Sequence, residues 1–187
     1  MGKNLIIVDV QPAYAKFSEH MHKALVSYTK KNRFDNTIIF WNDSEYFGWD
    51  DDEMKMREHF AELGFTQNFL NKAKFVPKDY AFFRNWMDSG VDNDQIVHVV
   101  KYMINNGIFD SRDIEDWDEV YAGTNFSIEE HSDMENNLYI PVWDYKILER
   151  YDNYILTGGQ FAACLAEIRI LLEALDKKYE VNYDLIY

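Results

Sequence analysis

The chain has 187 residues, 47% hydrophobic and 17% aromatic, which suits one globular domain with a buried core and excludes a disordered chain. Its formal net charge of −14, from 33 acidic and 19 basic residues, offers no basic footprint to displace counterions from a nucleic-acid backbone. No apolar run approaches the roughly 18 residues of a membrane span. Met1-Gly-Lys-Asn4 leads straight into an apolar strand without a signal-peptide pattern, and a single cysteine cannot form an internal disulfide. The expectation is a cytoplasmic protein with neither nucleic acid nor membrane as partner.

Asn4-Leu-Ile-Ile-Val-Asp9 is a continuous apolar run ending in a carboxylate. Such a run fits a strand covered on both faces, as in a parallel sheet. Asp9 then lies at the strand's carboxyl end, where open α/β sheets place their ligand crevice. An aspartate there also serves as a turn or cap residue, and position alone does not choose between the two. Val10 to Tyr14 reads as a turn, and Lys16 to Lys31 as a helix with Phe17, Met21, Ala24, Leu25 and Tyr28 on one face. Asn36 to Trp41 is a second buried strand, delivering Asn42 and Asp43 to the same sheet edge. The acidic Asp50-Asp-Asp-Glu53 reads as the charged first turn of a helix to Gly64 rather than as a cation site.

Phe75-Val76 is a short strand closed by Pro77, with Lys78 at its end. Most lysines are ordinary surface groups. Here Tyr80, Phe82 and Phe83 follow and would wall a pocket against water. Asp92-Asn-Asp-Gln95 caps a helix to Gly107 with Ile96, Val99, Val100, Met103 and Ile104 on one face. Asp113 to Tyr121 reads as a short helix, Leu138 to Ile140 as a strand and Val142 to Arg150 as a helix.

Tyr154 to Thr157 is a buried strand stopped by Gly158-Gly159. From Ala162 the pattern turns helical, with Leu165, Ile168, Leu172 and Leu175 three or four residues apart. Cys164 falls in the first turn of that helix, where free N–H groups and the helix dipole lower a thiol's pKa. The plainer alternative is a small buried apolar residue. Tyr179 to Tyr187 reads as the final strand. Alternating strands and helices predict a three-layer α/β/α fold with a mostly parallel central sheet, in one domain over residues 1–187. Asp9, Lys78 and Cys164 then stand at the carboxyl ends of different strands.

These three segments together resemble the isochorismatase-like cysteine hydrolases, which include isochorismatases, nicotinamidases and carbamoyl amidohydrolases. Leu5-Ile-Ile-Val-Asp9-Val-Gln11 is similar to the family's apolar strand ending Asp-x-Gln. Lys78-Asp-Tyr-Ala-Phe82-Phe83 is similar to its lysine followed by a small residue and an aromatic. Thr157-Gly-Gly-Gln-Phe-Ala-Ala-Cys164 keeps its spacing from turn glycine to nucleophile. The Gly-Gly before the cysteine and the Phe-Phe-Arg after the lysine also resemble small members from tailed-phage genomes.

The resemblance implies a cofactor-free hydrolase of a small-molecule amide or related bond, with Cys164 as nucleophile, Asp9 as base and Lys78 stabilising the thiolate. It implies an oxyanion hole from the backbone N–H groups of Gln160 and Cys164, and a cis peptide at Gly159–Gln160. Gln11, Tyr14, Trp41, Tyr80, Phe82, Phe83 and Phe161 are its expected substrate pocket, and a homo-oligomer its expected assembly.

Three departures qualify what carries over. Metal-dependent nicotinamidases have Asp-x-His and a further histidine after the second strand, whereas here Trp41-Asn-Asp-Ser-Glu-Tyr-Phe47 has none before His59. His59 reads as a surface or packing residue, and no metal site is expected. Leu165-Ala-Glu-Ile-Arg169 replaces the family's threonine and alanine run, and residues 88–137 read as a helical insertion. These differences support a second reading, a catalytically inactive binding protein on the same fold. A nucleotide-binding doubly wound domain is the third, and no strand is followed by Gly-x-Gly-x-x-Gly or Gly-x-x-x-x-Gly-Lys-Ser/Thr.

Overall fold

Strand β1 (Asn4–Val8) is buried along its whole length and sits at the middle of the sheet. The protein's structure is a computed structural model that describes residues 2–42, 51–78, 87, 90–125 and 145–187. Beside β1 lie β2 (Asn36–Asn42) and β4 (Tyr154–Gly158), and outside these lie β3 (Lys74–Lys78) and β5 (Tyr179–Val181). All four pairings are parallel, giving the order β3-β2-β1-β4-β5.

Alternation along the strands feeds two separate cores. Leu5, Ile7, Ile39 and Trp41 pack against α1 (Ala15–Lys31), α2 (Glu53–Glu62) and α3 (Gln67–Lys72). Ile6, Val8, Ile38 and Phe40 pack against α4 (Asn93–Asn106), α5 (Trp117–Tyr121) and α6 (Cys164–Ala174). The result is a three-layer α/β/α fold. Each fully buried Leu, Ile or Phe side chain favours it by about 1.5–3 kcal/mol over exposure. No helix among the described residues is long and apolar enough to cross a membrane.

The helices start where caps are supplied. Asp52, Thr66 and Asp92 accept the N–H groups of Lys55, Phe69 and Asp94 respectively, each satisfying a donor that the first turn leaves free. The buried face of α1 is Ser18, Met21, His22, Leu25 and Val26, rotated from the expected one. Ser18 Oγ meets His22 Nε2 at 2.7 Å, which lets this polar pair take part in burial, while Phe17 turns outward. His59 packs its ring edge-on to His22, 6.0 Å between centroids, as a packing residue of α2.

Several short elements differ from their sequence pattern. Pro77 lies inside β3 instead of closing it, which the outermost of the described strands tolerates because one side has no described partner needing donors. Residues 113–121 split into a 3-10 turn at Ser111–Asp113 and α5, because Asp110 and Asp116 each cap a new start. The described part of 142–150 is a 3-10 helix, Tyr145–Arg150, and the strand expected at 138–140 lies outside the described residues. The strand expected over 179–187 ends at Val181, where the Asn182 side chain accepts the Asp184 N–H and turns the chain into a 3-10 segment, Tyr183–Leu185. Of the expected insertion at 88–137, the described part includes α4 and α5. Their Ile96, Val99, Val100, Met103 and Val120 belong to the core beside the sheet.

Candidate active site

The carboxyl ends of β1, β3 and β4 converge on one place. Asp9 follows β1 in the left-handed conformation, φ 51°, which aspartate adopts more readily than most residues. Its N–H donates to Phe40 O at 2.9 Å, and its side chain is fully buried. Lys78 ends β3, 1% exposed, and its Nζ lies 3.0 Å from Asp9 Oδ2 and 3.4 Å from Glu167 Oε2. Such a pair resists separation, because removing one partner strands a charge in a medium that solvates it poorly.

After β4, Gly158 and Gly159 both take positive φ, 72° and 62°. A Cβ on Gly158 would lie 2.3 Å from Val8 O, so only glycine lets β4 run this close to β1. No cis peptide occurs among the described residues. The Gly159–Gln160 bond is trans, contrary to expectation, because two left-handed glycines already make the turn. Gln160 O accepts the N–H groups of Ala163 and Leu165, and α6 begins at Cys164. The N–H groups of Gln160 and Cys164 themselves carry no hydrogen bond among the described residues.

Above these groups is a cavity of about 560 Å³ lined by Lys78, Cys164 and Glu167, with Tyr14, Phe17, Phe161 and Tyr187 as aromatic walls and His20 and Gln160 at its side. The helix start was expected to depress the Cys164 pKa; the surroundings reverse the sign. Burial raises it, the Asp9 carboxylate raises it further, and Lys78 opposes them without prevailing. Burial alone would lower the Lys78 pKa, but Asp9 and Glu167 outweigh it and keep the ammonium charged. Neither Asp9 carboxylate oxygen accepts a conventional hydrogen bond among the described residues, although Oδ2 is held by Lys78 as an ion pair. The site therefore rests as a neutral thiol beside the Asp9 carboxylate and the Lys78 ammonium.

No family model, curated protein or solved structure matches this chain.

Of the expected site residues, the fold brings together Asp9, Lys78, Gln160 and Cys164, and sets Tyr14 and Phe161 in the cavity wall. Gln11 and Trp41 lie elsewhere. Gln11 is fully buried and clamps β2, accepting the Asn42 N–H at 2.8 Å and donating to Asn42 O at 3.0 Å and Asp51 Oδ2 at 3.0 Å. Trp41 points into the core on the α1 side. Tyr80, Phe82 and Phe83 are outside the described residues. Among the described residues no group of three or more His, Cys, Asp or Glu side chains is arranged to hold a metal ion.

Sequence reasoning missed Glu167 and Tyr187. Glu167 had a local signal, since it follows Cys164 by three residues and so shares its helix face. Tyr187 had none, because its partners belong to distant parts of the chain.

Proposed function

We propose that this chain is a cysteine hydrolase acting on an amide or related bond of a small molecule, as its isochorismatase-like motifs imply. One observation carries the reading: the buried Asp9–Lys78 pair, 3.0 Å apart, sits beside the Cys164 thiol at a cavity large enough for a small molecule. A protonated thiol is a poor nucleophile, and an adjacent general base is what activates it.

Asp9 takes the thiol proton as Sγ bonds to the substrate carbonyl carbon, and the carbonyl π electrons move to oxygen. The N–H groups of Cys164 and Gln160 receive that oxyanion, an interaction worth about 10²–10³ in rate. Collapse breaks the C–N bond, and Asp9 returns its proton to the departing amine. Water then attacks the thioester, Asp9 accepts a water proton, and the acid leaves as the thiol re-forms. Lys78 holds the Asp9 carboxylate in place between these transfers. The same reading takes the protein as cytoplasmic, homo-oligomeric and without cofactor.

The second reading, a binding protein that no longer turns over, is favoured by Glu167. This second carboxylate shares Lys78 with Asp9, and its charge opposes the thiolate. A panel of small amides assayed for released ammonia or amine separates the two. The expected result is turnover by wild type, none by Cys164→Ala with an unchanged circular-dichroism spectrum, and a loss of about 10²–10⁴ in Asp9→Asn. Equal rates in all three would sink the assignment of these residues. No turnover, together with a Cys164 inert to iodoacetamide, selects the binding protein.

A further inference from the structure

Tyr187 touches both halves of the site and the cavity between them. Its hydroxyl donates to Asp9 O at 2.9 Å, and its backbone N–H donates to Gly159 O at 3.1 Å. Its ring lies 6.5 Å from that of Tyr14 and lines the cavity. The segment that brings it there is anchored. Asn182 N–H bonds to Leu156 O, and Leu185 is 3% exposed in the core on the α1 side. Burial raises the Tyr187 pKa, so the hydroxyl keeps the proton it donates.

Asp9 needs such a tether. A left-handed φ is uncommon for any residue but glycine and persists where surrounding bonds fix it. The Asp9 peptide is fixed on its amide side by Phe40 O and on its carbonyl side by the Tyr187 hydroxyl. Gly159, held by the same residue's N–H, belongs to the turn that sets Cys164.

We propose that Tyr187 is a positioning residue that ties the Asp9 loop to the nucleophile turn, keeping the Asp9 carboxylate beside Lys78 and the Cys164 thiol. Its effect on turnover rests on the cysteine-hydrolase reading; the tether itself does not. Without the hydroxyl, the Asp9 peptide loses its hold on the carbonyl side and relaxes from the left-handed conformation. The carboxylate then withdraws from the thiol. The charged and titratable groups acting on that thiol include Asp9, Lys78 and Glu167, of which Asp9 and Glu167 disfavour the thiolate and Lys78 favours it. Tyr14 and Tyr187 also face it, and burial raises both their pKa values, favouring their neutral forms. Withdrawal of Asp9 therefore moves the Cys164 titration to lower pH, in the direction of Asp9→Asn.

The test labels the single cysteine with ¹³C at Cβ and follows its chemical shift against pH in wild type, Tyr187→Phe, Asp9→Asn and the double variant. Tyr28→Phe serves as control, since its ring packs on Phe34 and its hydroxyl has no partner among the described residues. Tyr187→Phe keeps the ring and the packing, so the fold survives. The expected result is a downward shift in both single variants, and a double variant that shifts no further than Asp9→Asn alone, because both changes act through one carboxylate. Coincident curves for wild type and Tyr187→Phe overturn the tether, including the case in which neither titrates. So does a Tyr187→Phe shift that adds in full to that of Asp9→Asn. On an amide substrate, Tyr187→Phe lowers kcat and leaves KM within about twofold, as expected of lost transition-state positioning rather than binding. Turnover absent from every protein, wild type included, overturns the hydrolase reading while the titration still decides the tether.

Discussion

Cys164 stands where burial and a neighbouring carboxylate both favour the neutral thiol. An unfolded thiol titrates near pH 8.5, whereas the folded one holds its proton to higher pH. Above about pH 8.5 the unfolded chain therefore releases a proton that the folded chain keeps. The stabilisation is complete below that pH and is lost as pH rises, by at most about 1.4 kcal/mol per pH unit. Tyr14, Tyr154, Tyr187 and Lys78 are also raised, but their ordinary values near 10 place their contributions higher on the pH scale. Urea unfolding between about pH 8.5 and 10 should show wild type losing stability faster than Cys164→Ala. Parallel curves would mean that the thiol is ordinary. At this scale the sequence exposes Asp9, Lys78 and Cys164, because each ends or begins an element and local pattern places it. Glu167 is hidden by looking like any charged residue on a helix. Tyr187 is hidden because it meets Asp9 across 178 positions.

The turn from β4 into α6 carries the nucleophile, and Gly158 is its constraint. Its φ of 72° and the 2.3 Å approach of a notional Cβ to Val8 O both exclude a side chain. A left-handed non-glycine residue costs about 1–2 kcal/mol, and forcing a methyl into packed surroundings adds about 1–3 kcal/mol. Gly158→Ala should thus lower the unfolding free energy by about 2–5 kcal/mol in urea denaturation. A loss within 0.5 kcal/mol, the range of unconstrained surface positions, would show that the turn yields easily. The helix α4 is legible because periodicity and the Asp92 cap agree over many residues, and β1 because its apolar run is unbroken. The short elements around 111–121 and 179–187 are not, since a single aspartate or asparagine hydrogen bond outweighs the pattern there.

At the scale of the molecule, the strand–helix alternation and the apolar strands of the centre determine the parallel sheet, and strand parity divides the core into its two halves. Net charge is a separate property, and it bears on what reaches the cavity. With −14 overall and Lys78 already paired to Asp9 and Glu167, the described residues around Cys164 offer no unpaired lysine charge to an anion. The summed field should repel anionic reagents and leave neutral ones unaffected. At about 10 mM ionic strength the Debye length is about 30 Å, long enough for most of the molecule to contribute; at about 1 M it is about 3 Å. Iodoacetate and iodoacetamide differ mainly in charge, so their relative rates at Cys164 report this field. The ratio of iodoacetate to iodoacetamide rates should fall below its value for free cysteine at low salt and recover as salt is added. A ratio above the free-cysteine value would mean that Lys78 dominates locally despite its pairing, and would point the substrate search to carboxylates. The expected ratio points it to neutral or cationic amides.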